Sequence, residues 1–177
     1  YQTVVYFPGS NALDVLSSES LQMYIIDFII KNGRALLYPV YKGTYERKYG
    51  VSSTTNSDLE YREHVIQWYK DLARSIDYLE SRADIDTGKL AYFGFSWGGR
   101  MGPLMTVLEN RIKVSILYVA GFGGRRLPEV DPFNYVHHVK IPILMLNGKY
   151  DATFPYETSQ KPLYELLGTS PDNKRIF

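Results

Sequence analysis

The residues that could do chemistry centre on one serine enclosed by glycines. Ser96 lies in the sequence LAYFGFSWGGRMG, two residues after Gly94 and two residues before Gly98. A serine on a sharp turn between a strand and a helix needs small neighbours at those positions, because the backbone there is strained. Its hydroxyl can attack a carbonyl carbon if a histidine accepts the proton and an acid orients the histidine. The competing interpretation is that the glycines only let a helix pack closely on a sheet.

The sequence on either side of Ser96 favours the catalytic interpretation. An apolar, strand-like run ends at Phe93, and a helical pattern follows the serine directly, with Pro103 in its early part. The first N–H groups of a helix have no partner within the helix, and the helix dipole is positive at that end. This combination would stabilise an oxyanion that develops beside Ser96.

Asp151 is the first candidate for the acid. It lies in LMLNGKYDATFP, just beyond the carboxyl end of a predicted strand, and so on the same edge of the sheet as Ser96. Asp131, in the loop after the preceding strand, is the second candidate. The alternative for Asp151 is an aspartate that only shapes a loop turn.

None of the three histidines fits the role of base in a simple way. His137 and His138 come just before the strand IPILML, which predicts that they lie at the edge of the sheet opposite Asp151. His64 is near the start of a long predicted helix and on the correct edge, but a solvated helix histidine is the favoured interpretation. No histidine follows Asp151.

Strand and helix patterns alternate along the whole chain, which predicts an α/β fold. Apolar runs such as TVVYF, LAYFGF, VSILYVAG and IPILMLNG indicate strands that are buried on both faces. Helical patterns cover residues 21–33, 59–82, 99–110 and 156–168, and the second has Asn56, Ser57 or Asp58 as its cap. We therefore expect a mostly parallel sheet with helices on both faces, whose chemistry lies at the carboxyl ends of the strands.

Domain limits and composition narrow the possible functions. Both ends of the chain look cut, so residues 1–177 are expected to form a single core, truncated at both ends, within a larger domain. The net charge of +1 gives no sign of a nucleic-acid or membrane partner, and the absence of cysteine excludes disulfides and thiolate metal sites. No pattern indicates a metal site or a cofactor. The sequence leaves the oligomeric state and the compartment open, with the cytoplasm slightly favoured.

The motifs together resemble the α/β-hydrolase family. The resemblance runs from VVYFPGS through YFGFSWGG to IPILMLNGKYDATFP, and SIDYLESRADIDTGKLAYFGFSWGG is most similar to the dienelactone-hydrolase and prolyl-oligopeptidase-like branches. The family order of nucleophile, acid and histidine matches Ser96 and then Asp151. Dienelactone hydrolases carry cysteine at the sharp turn between strand and helix (the elbow), so Ser96 departs from that pattern.

The resemblance implies further residues of the site. The backbone N–H of Trp97 would be one oxyanion donor, and the loop FPGSNA would supply the second, from Ser10 or, failing that, from Asn11. This loop departs from the usual His-Gly start. The family places its histidine after the next strand, which implies a base beyond Phe177 and predicts that residues 1–177 alone have little activity.

The expected function is that of a serine hydrolase acting on a small-molecule ester, or on a peptide or amide bond, through an acyl-serine intermediate. The alternative is a non-catalytic hydrolase-fold module that serves as a binding domain in a larger protein. Four side chains follow strands and could border the mouth of the pocket: Tyr41, Tyr45, Arg125 and Arg126. They would favour an aromatic or acidic acyl group, unless the two arginines only face water.

Overall fold

A six-stranded, all-parallel sheet forms the centre of the molecule. The computed structural model describes residues 1–21, 23–48 and 57–177. The strand order is β2-β1-β3-β4-β5-β6. The strands are β1 (Thr3–Phe7), β2 (Ala35–Leu37), β3 (Leu90–Phe95), β4 (Ile112–Tyr118), β5 (Ile143–Leu146) and β6 (Lys174–Ile176).

Four α-helices cover the two faces of this sheet in the described part of the chain. They are α1 (Asp27–Lys31), α2 (Asp58–Glu80), α3 (Trp97–Leu108) and α4 (Lys161–Leu166). Side chains that alternate along a strand point to opposite faces, and the core divides accordingly. Val5 and Phe7 pack in the cluster that contains the buried residues of α2 and α3, whereas Val4 and Tyr6 pack with Ile29 of α1. The α/β fold with helices on both faces is confirmed.

The helix α2 begins where a side chain can satisfy its free N–H groups. Ser57 is the N-cap and forms a capping box with Glu60, in which each side chain accepts a bond from the other residue's backbone N–H. The predicted helix over residues 59–82 is thus confirmed to within two residues. Of the other candidate caps, Asp58 is the first helical residue and Asn56 lies outside the described residues.

The helix predicted over residues 21–33 is shorter in the structure. A 3-10 turn covers Met23–Ile25, and α1 is only five residues long. Its N-cap residue, Ile26, makes no side-chain capping bond. Isoleucine is β-branched and loses side-chain freedom in a helix, which lowers its helix propensity. A stretch that is rich in isoleucine and has no capping bond therefore forms only a short helix.

The register of the strands brings the four loops that follow β1, β3, β4 and β5 to one edge of the sheet. Phe7 of β1 pairs with Gly94 of β3, and Tyr118 of β4 pairs with Leu146 of β5. The residues that follow these strand ends therefore emerge side by side at the carboxyl edge. No helix in the described ranges is long and apolar enough to cross a membrane.

Candidate active site

Ser96 occupies a strained turn between β3 and α3. Its backbone angles are φ 51° and ψ −101°, and it is the N-cap residue of α3. Positive φ is uncommon for a residue with a side chain and has a cost of order 1–3 kcal/mol. The Ser96 N–H donates to the Tyr118 carbonyl at 2.9 Å, which fixes the turn against the end of β4.

The two flanking glycines are required by close backbone contacts. A Cβ atom on Gly94 would lie 2.3 Å from the Gly98 carbonyl oxygen, and one on Gly98 would lie 2.1 Å from the Phe7 carbonyl oxygen. Both distances are far below any real Cβ contact. The glycines therefore allow the sharp turn and the close approach to β1 at the same time, so the two interpretations raised by the sequence describe one structure.

Tyr92 supports the turn from the core. Its hydroxyl donates to the Gly98 carbonyl at 2.6 Å, and its side chain is fully buried. Burial raises the pKa of Tyr92 well above its ordinary value, so the phenol stays neutral and remains a donor. No sequence pattern distinguishes this tyrosine from the other 15.

The candidate oxyanion donors lie at the ends of two adjacent strands. Trp97 is the first residue of α3, and Ser10 is the first residue of a 3-10 turn, Ser10–Leu13, that follows β1. The first N–H groups of both turns have no partner within their own turn. The two segments touch, since the Gly98 N–H donates to the Pro8 carbonyl at 3.0 Å and the Phe7 and Trp97 rings meet edge to face at 4.8 Å.

A second strained residue follows β4, next to Ser96. Val119 has φ 55°, which is a genuine outlier for a β-branched residue. Its N–H continues the ladder to the Leu146 carbonyl at 2.8 Å, and the side chain of Asn147 then bonds both backbone groups of Ala120, at 2.6 and 3.3 Å. A Cβ atom on Gly99 of α3 would lie 3.0 Å from the Ala120 Cβ, so this segment packs closely on α3.

Asp151 lies in the loop that follows β5, five residues beyond the strand's end at Leu146. Its Oδ1 accepts the backbone N–H groups of Thr153 at 2.7 Å and Phe154 at 3.0 Å. Phe154 packs on Gly121, where a Cβ would lie 2.8 Å from the Phe154 Cβ. The loop around Asp151, called the acid loop below because Asp151 is the candidate acid, therefore packs on the segment that leaves β4, and that segment packs on α3.

Asp131 has a different role in the structure. Only 4% of it is exposed, and its carboxylate accepts the backbone N–H groups of Arg126 and Phe133 and pairs with the Arg125 side chain at 2.9 Å. These bonds use both carboxylate oxygens to close its own loop. Asp131 is a loop-forming residue, which leaves Asp151 as the better candidate for the acid.

The histidines lie in two separate places. His137 and His138 form part of a short turn, Val136–His138, that ends five residues before β5 and so belongs to its amino end. His64 is buried in α2, and its ring packs on Trp68 with a centroid distance of 5.9 Å. Trp68 contacts Trp97 in turn, at 4.6 Å.

The two tyrosines predicted to border the pocket are buried. Tyr41 has no exposed surface, its ring stacks on Phe7 at 4.2 Å, and its hydroxyl donates to the Tyr6 carbonyl. Tyr41 is therefore a core residue in this structure and does not border an open pocket mouth. Tyr45 is 4% exposed, and its hydroxyl is 2.6 Å from that of Tyr38.

The two arginines are held by neighbouring side chains. Arg125 lies over the Phe133 ring at 4.2 Å in addition to its pairing with Asp131. Arg126 lies over the Tyr61 ring at 4.3 Å and pairs with Asp58 at 3.6 Å. The Arg125 side chain is nevertheless 65% exposed, so water reaches it. A role for either residue in substrate binding remains a prediction.

In the ranges that the structure describes, no three histidine or carboxylate side chains are grouped so that they could hold a metal ion. One cavity of about 560 Å³ lies at the amino ends of β1, β3 and β4, at the edge opposite Ser96. Another, of about 370 Å³, lies beside the acid loop at the carboxyl ends of β5 and β6 and is lined by Asn147, Lys149, Tyr156, Gln160, Ile176 and Phe177.

The family model of the dienelactone hydrolases matches residues 22–170 of this sequence. The chain belongs to the dienelactone hydrolase family. This assignment confirms the resemblance to dienelactone hydrolases drawn from the segment SIDYLESRADIDTGKLAYFGFSWGG. The match covers most of the strands and helices named above.

Individual relatives agree with this assignment. The chain is 30% identical over 116 residues to the α/β-hydrolase domain-containing protein WAV2 of Arabidopsis thaliana, a match that covers 49% of this chain and 37% of WAV2. The chain spans about two-fifths of the length of the curated relatives it matches.

Two solved structures share the fold over 99% of this chain. A cold-adapted esterase from an Arctic intertidal metagenomic library gives a TM-score of 0.74 at 18% identity, with 71% of that chain covered. Esterase 2 of Thermogutta terrifontis, solved in a form phosphonylated by sarin, gives a TM-score of 0.67 at 13% identity, again with 71% covered.

Proposed function

We propose that this chain carries the nucleophile and the acid of a serine hydrolase that cleaves carboxylic esters through an acyl-Ser96 intermediate. The observation that carries the proposal is the strained, positive-φ backbone of Ser96 at the N-terminus of α3, tightly enclosed by Gly94 and Gly98. A chain keeps such strain where the surrounding structure over-determines it, and this occurs most often at functional sites.

The proposed reaction has two balanced steps. The Ser96 oxygen attacks the ester carbonyl while its proton passes to a histidine, and the resulting oxyanion is held by the N–H groups of Trp97 and Ser10. Collapse of this intermediate breaks the bond to the alkoxide, which leaves as an alcohol with the histidine's proton. Water then attacks the acyl-enzyme in the same way and releases the carboxylic acid and Ser96.

Asp151 would orient the histidine and stabilise its charged form. Both backbone bonds to its carboxylate go to Oδ1, so Oδ2 can accept an imidazole N–H. The family order implies that this histidine follows β6 in the full-length protein. The cavity beside Gln160 and Phe177, at the ends of β5 and β6, is the space that such a segment would border.

We prefer ester cleavage to peptide cleavage because the two solved structures described above are esterases. We expect the exposed side of Arg125 to contribute to the choice of acyl group, whereas Tyr45 is buried against Tyr38. The alternative function is a binding module that keeps the fold without turnover, and the motif alone is compatible with it.

Steady-state hydrolysis of p-nitrophenyl esters by the full-length protein tests the proposal, with p-nitroanilides as the amide comparison. We expect Ser96→Ala to lower kcat/KM by about a thousandfold or more, and Asp151→Asn by about a thousandfold or more. Asp131→Asn is the matched control. Its kcat/KM should stay within about threefold of wild type once folding is verified, because Asp131 closes its own loop and does not orient the histidine in this proposal.

The same assay separates the alternatives. Undiminished turnover by the Ser96→Ala variant would overturn the assignment of the nucleophile. Loss of activity in His64→Ala, in a protein that stays folded, would identify His64 as the base and contradict a base after β6. Absence of hydrolysis above the buffer rate in the full-length protein would favour the binding module.

A further inference from the structure

Gln160 closes the loop that carries Asp151. Only 1% of Gln160 is exposed, and its amide nitrogen donates to the carbonyls of Gly148 at 2.8 Å and Phe154 at 2.7 Å. These two carbonyls lie three residues before and three residues after Asp151. One buried amide therefore fixes both ends of the seven-residue acid loop, which has 3 residues on each side of its carboxylate.

The position of Gln160 depends on an unusual helical turn. Residues Tyr156–Gln160 form a π-helical turn directly before α4, a rare geometry that recurs at functional sites. Ser159 in the same turn donates to the Phe122 carbonyl at 2.6 Å and accepts the Phe122 N–H at its own carbonyl, at 3.3 Å. The turn is thus attached on one side to the acid loop and on the other to the segment that leaves β4.

We infer that Gln160 is a positioning residue for the Asp151 carboxylate. This inference rests on the proposed function, in which Asp151 orients the catalytic histidine. Gln160 touches neither the substrate nor the reacting atoms in this account. It fixes the carbonyls of Gly148 and Phe154, and the Phe154 N–H in turn fixes Oδ1 of Asp151 at 3.0 Å.

An amide suits this position better than other side chains of similar size. Both bonds use the two N–H donors of one nitrogen, and a carboxylate or a thioether has no such pair. Two buried carbonyls would lose their partner in a variant, and the loop would shift towards water or towards other donors to satisfy them. A shift of about 1 Å in a catalytic group lowers a rate by up to about a hundredfold.

The test compares Gln160→Met and Gln160→Glu with wild type in the full-length protein. Both variants keep the approximate length of the side chain and remove the donor pair. We expect kcat for ester hydrolysis to fall about ten- to a hundredfold, with KM within about twofold, because the loop positions the acid and does not bind substrate.

Thr169→Val is the matched control. The Thr169 hydroxyl is also buried and lies within hydrogen-bond distance of two carbonyls, those of Val139 at 3.3 Å and Ile141 at 2.8 Å, but at the amino end of β5. This control should lower the Tm and leave kcat unchanged at temperatures well below it. A fall in kcat of equal size in Thr169→Val would mean that general destabilisation explains the effect, and would overturn the inference.

A double-mutant cycle distinguishes this inference from the proposed function. In the Asp151→Asn background, Gln160→Met should lower kcat by less than about twofold, because residues that act through each other are not additive. Full activity of Asp151→Asn would reject the proposed acid itself. If Asp151→Asn lowers kcat strongly but the Gln160 variants have no effect, or an additive one, only the positioning role is rejected. Failure of both Gln160 variants to fold would also reject that role.

Discussion

At Ser96, side-chain chemistry depends on backbone geometry set by its neighbours. The positive φ of Ser96 is kept by Gly94 and Gly98, by the bond from the Tyr92 hydroxyl, and by its own N–H bond to Tyr118. Gly98 joins the turn to Phe7 of β1, the Ser96 N–H joins it to Tyr118 of β4, and Tyr92 joins it to β3. The serine is therefore held by the sheet and not by its own helix alone.

The contact between Gly98 and Phe7 leads to a prediction about stability. Gly98→Ala should lower the free energy of unfolding by about 3 kcal/mol or more, because its Cβ would meet the Phe7 carbonyl carbon and oxygen and neither can move aside cheaply. Urea unfolding measures the change. Gly124→Ala is the control, since a Cβ there meets nothing within 4 Å, and it should be near neutral. A Gly98→Ala variant as stable as the control would contradict this account of the elbow.

Candidate residues that lie in a short sequence motif could be predicted from the sequence. Residues that are held by partners farther along the chain could not. Ser96 and its glycines form a pattern of five residues, so the motif could be read directly. The partners of Gln160 are 12 and 6 residues away along the chain, and nothing in the sequence marks them. Tyr41 follows a strand, as expected for a residue at the pocket, but its ring turns into the core and stacks on Phe7.

At the scale of elements, the loops after β1, β3 and β5 share one edge because the strands are parallel and in register. Apolar runs were enough to predict the four strands β1, β3, β4 and β5. The helix boundaries were predictable where a cap exists, as at Ser57, and not in the isoleucine-rich stretch before Lys31. The π-helical turn before α4 has no sequence signature, because it depends on contacts with Phe122 and the acid loop.

The capping box at the start of α2 gives a prediction for this element. Ser57→Ala removes the bond that the Glu60 N–H donates to the Ser57 hydroxyl oxygen and should lower the free energy of unfolding by about 1 kcal/mol. Thermal or urea unfolding measures the loss. Ser57→Asp restores an acceptor at the cap and should recover the stability. Equal stability of Ser57→Ala and wild type would mean that the cap contributes nothing to the fold.

At the scale of the whole molecule, buried tyrosines form part of the core that supports the turn at Ser96. The protein has 16 tyrosines, and two of them, Tyr41 and Tyr92, are fully buried with hydroxyls bonded to backbone carbonyls. Burial raises the pKa of Tyr41 and of Tyr92 well above the ordinary tyrosine value of 10.0. Both phenols therefore stay neutral in the folded protein, whereas in the unfolded chain they ionise near their ordinary value.

This difference predicts a loss of stability at alkaline pH. Above about pH 10 the unfolded state releases protons that the folded state retains, so the free energy of unfolding falls, by up to about 1.4 kcal/mol per pH unit for each buried phenol. Below that pH the contribution is fully present. Urea unfolding between pH 8 and 11 should show a shallower fall for Tyr41→Phe than for wild type. Tyr150→Phe is the control, because Tyr150 is 91% exposed and its removal should leave the slope unchanged.

The most direct test of the account is covalent labelling of the full-length protein by a fluorophosphonate, followed by mass spectrometry of its peptides. Fluorophosphonates phosphonylate activated serines, and esterase 2 of Thermogutta terrifontis, which shares this fold, was solved in a form phosphonylated by sarin. The account predicts a single adduct on Ser96, formed at least about a hundredfold more slowly in Asp151→Asn, since the acid orients the base, and absent in Ser96→Ala. An adduct on another serine, or undiminished labelling of a folded Ser96→Ala variant, would contradict the claim that Ser96 is the nucleophile.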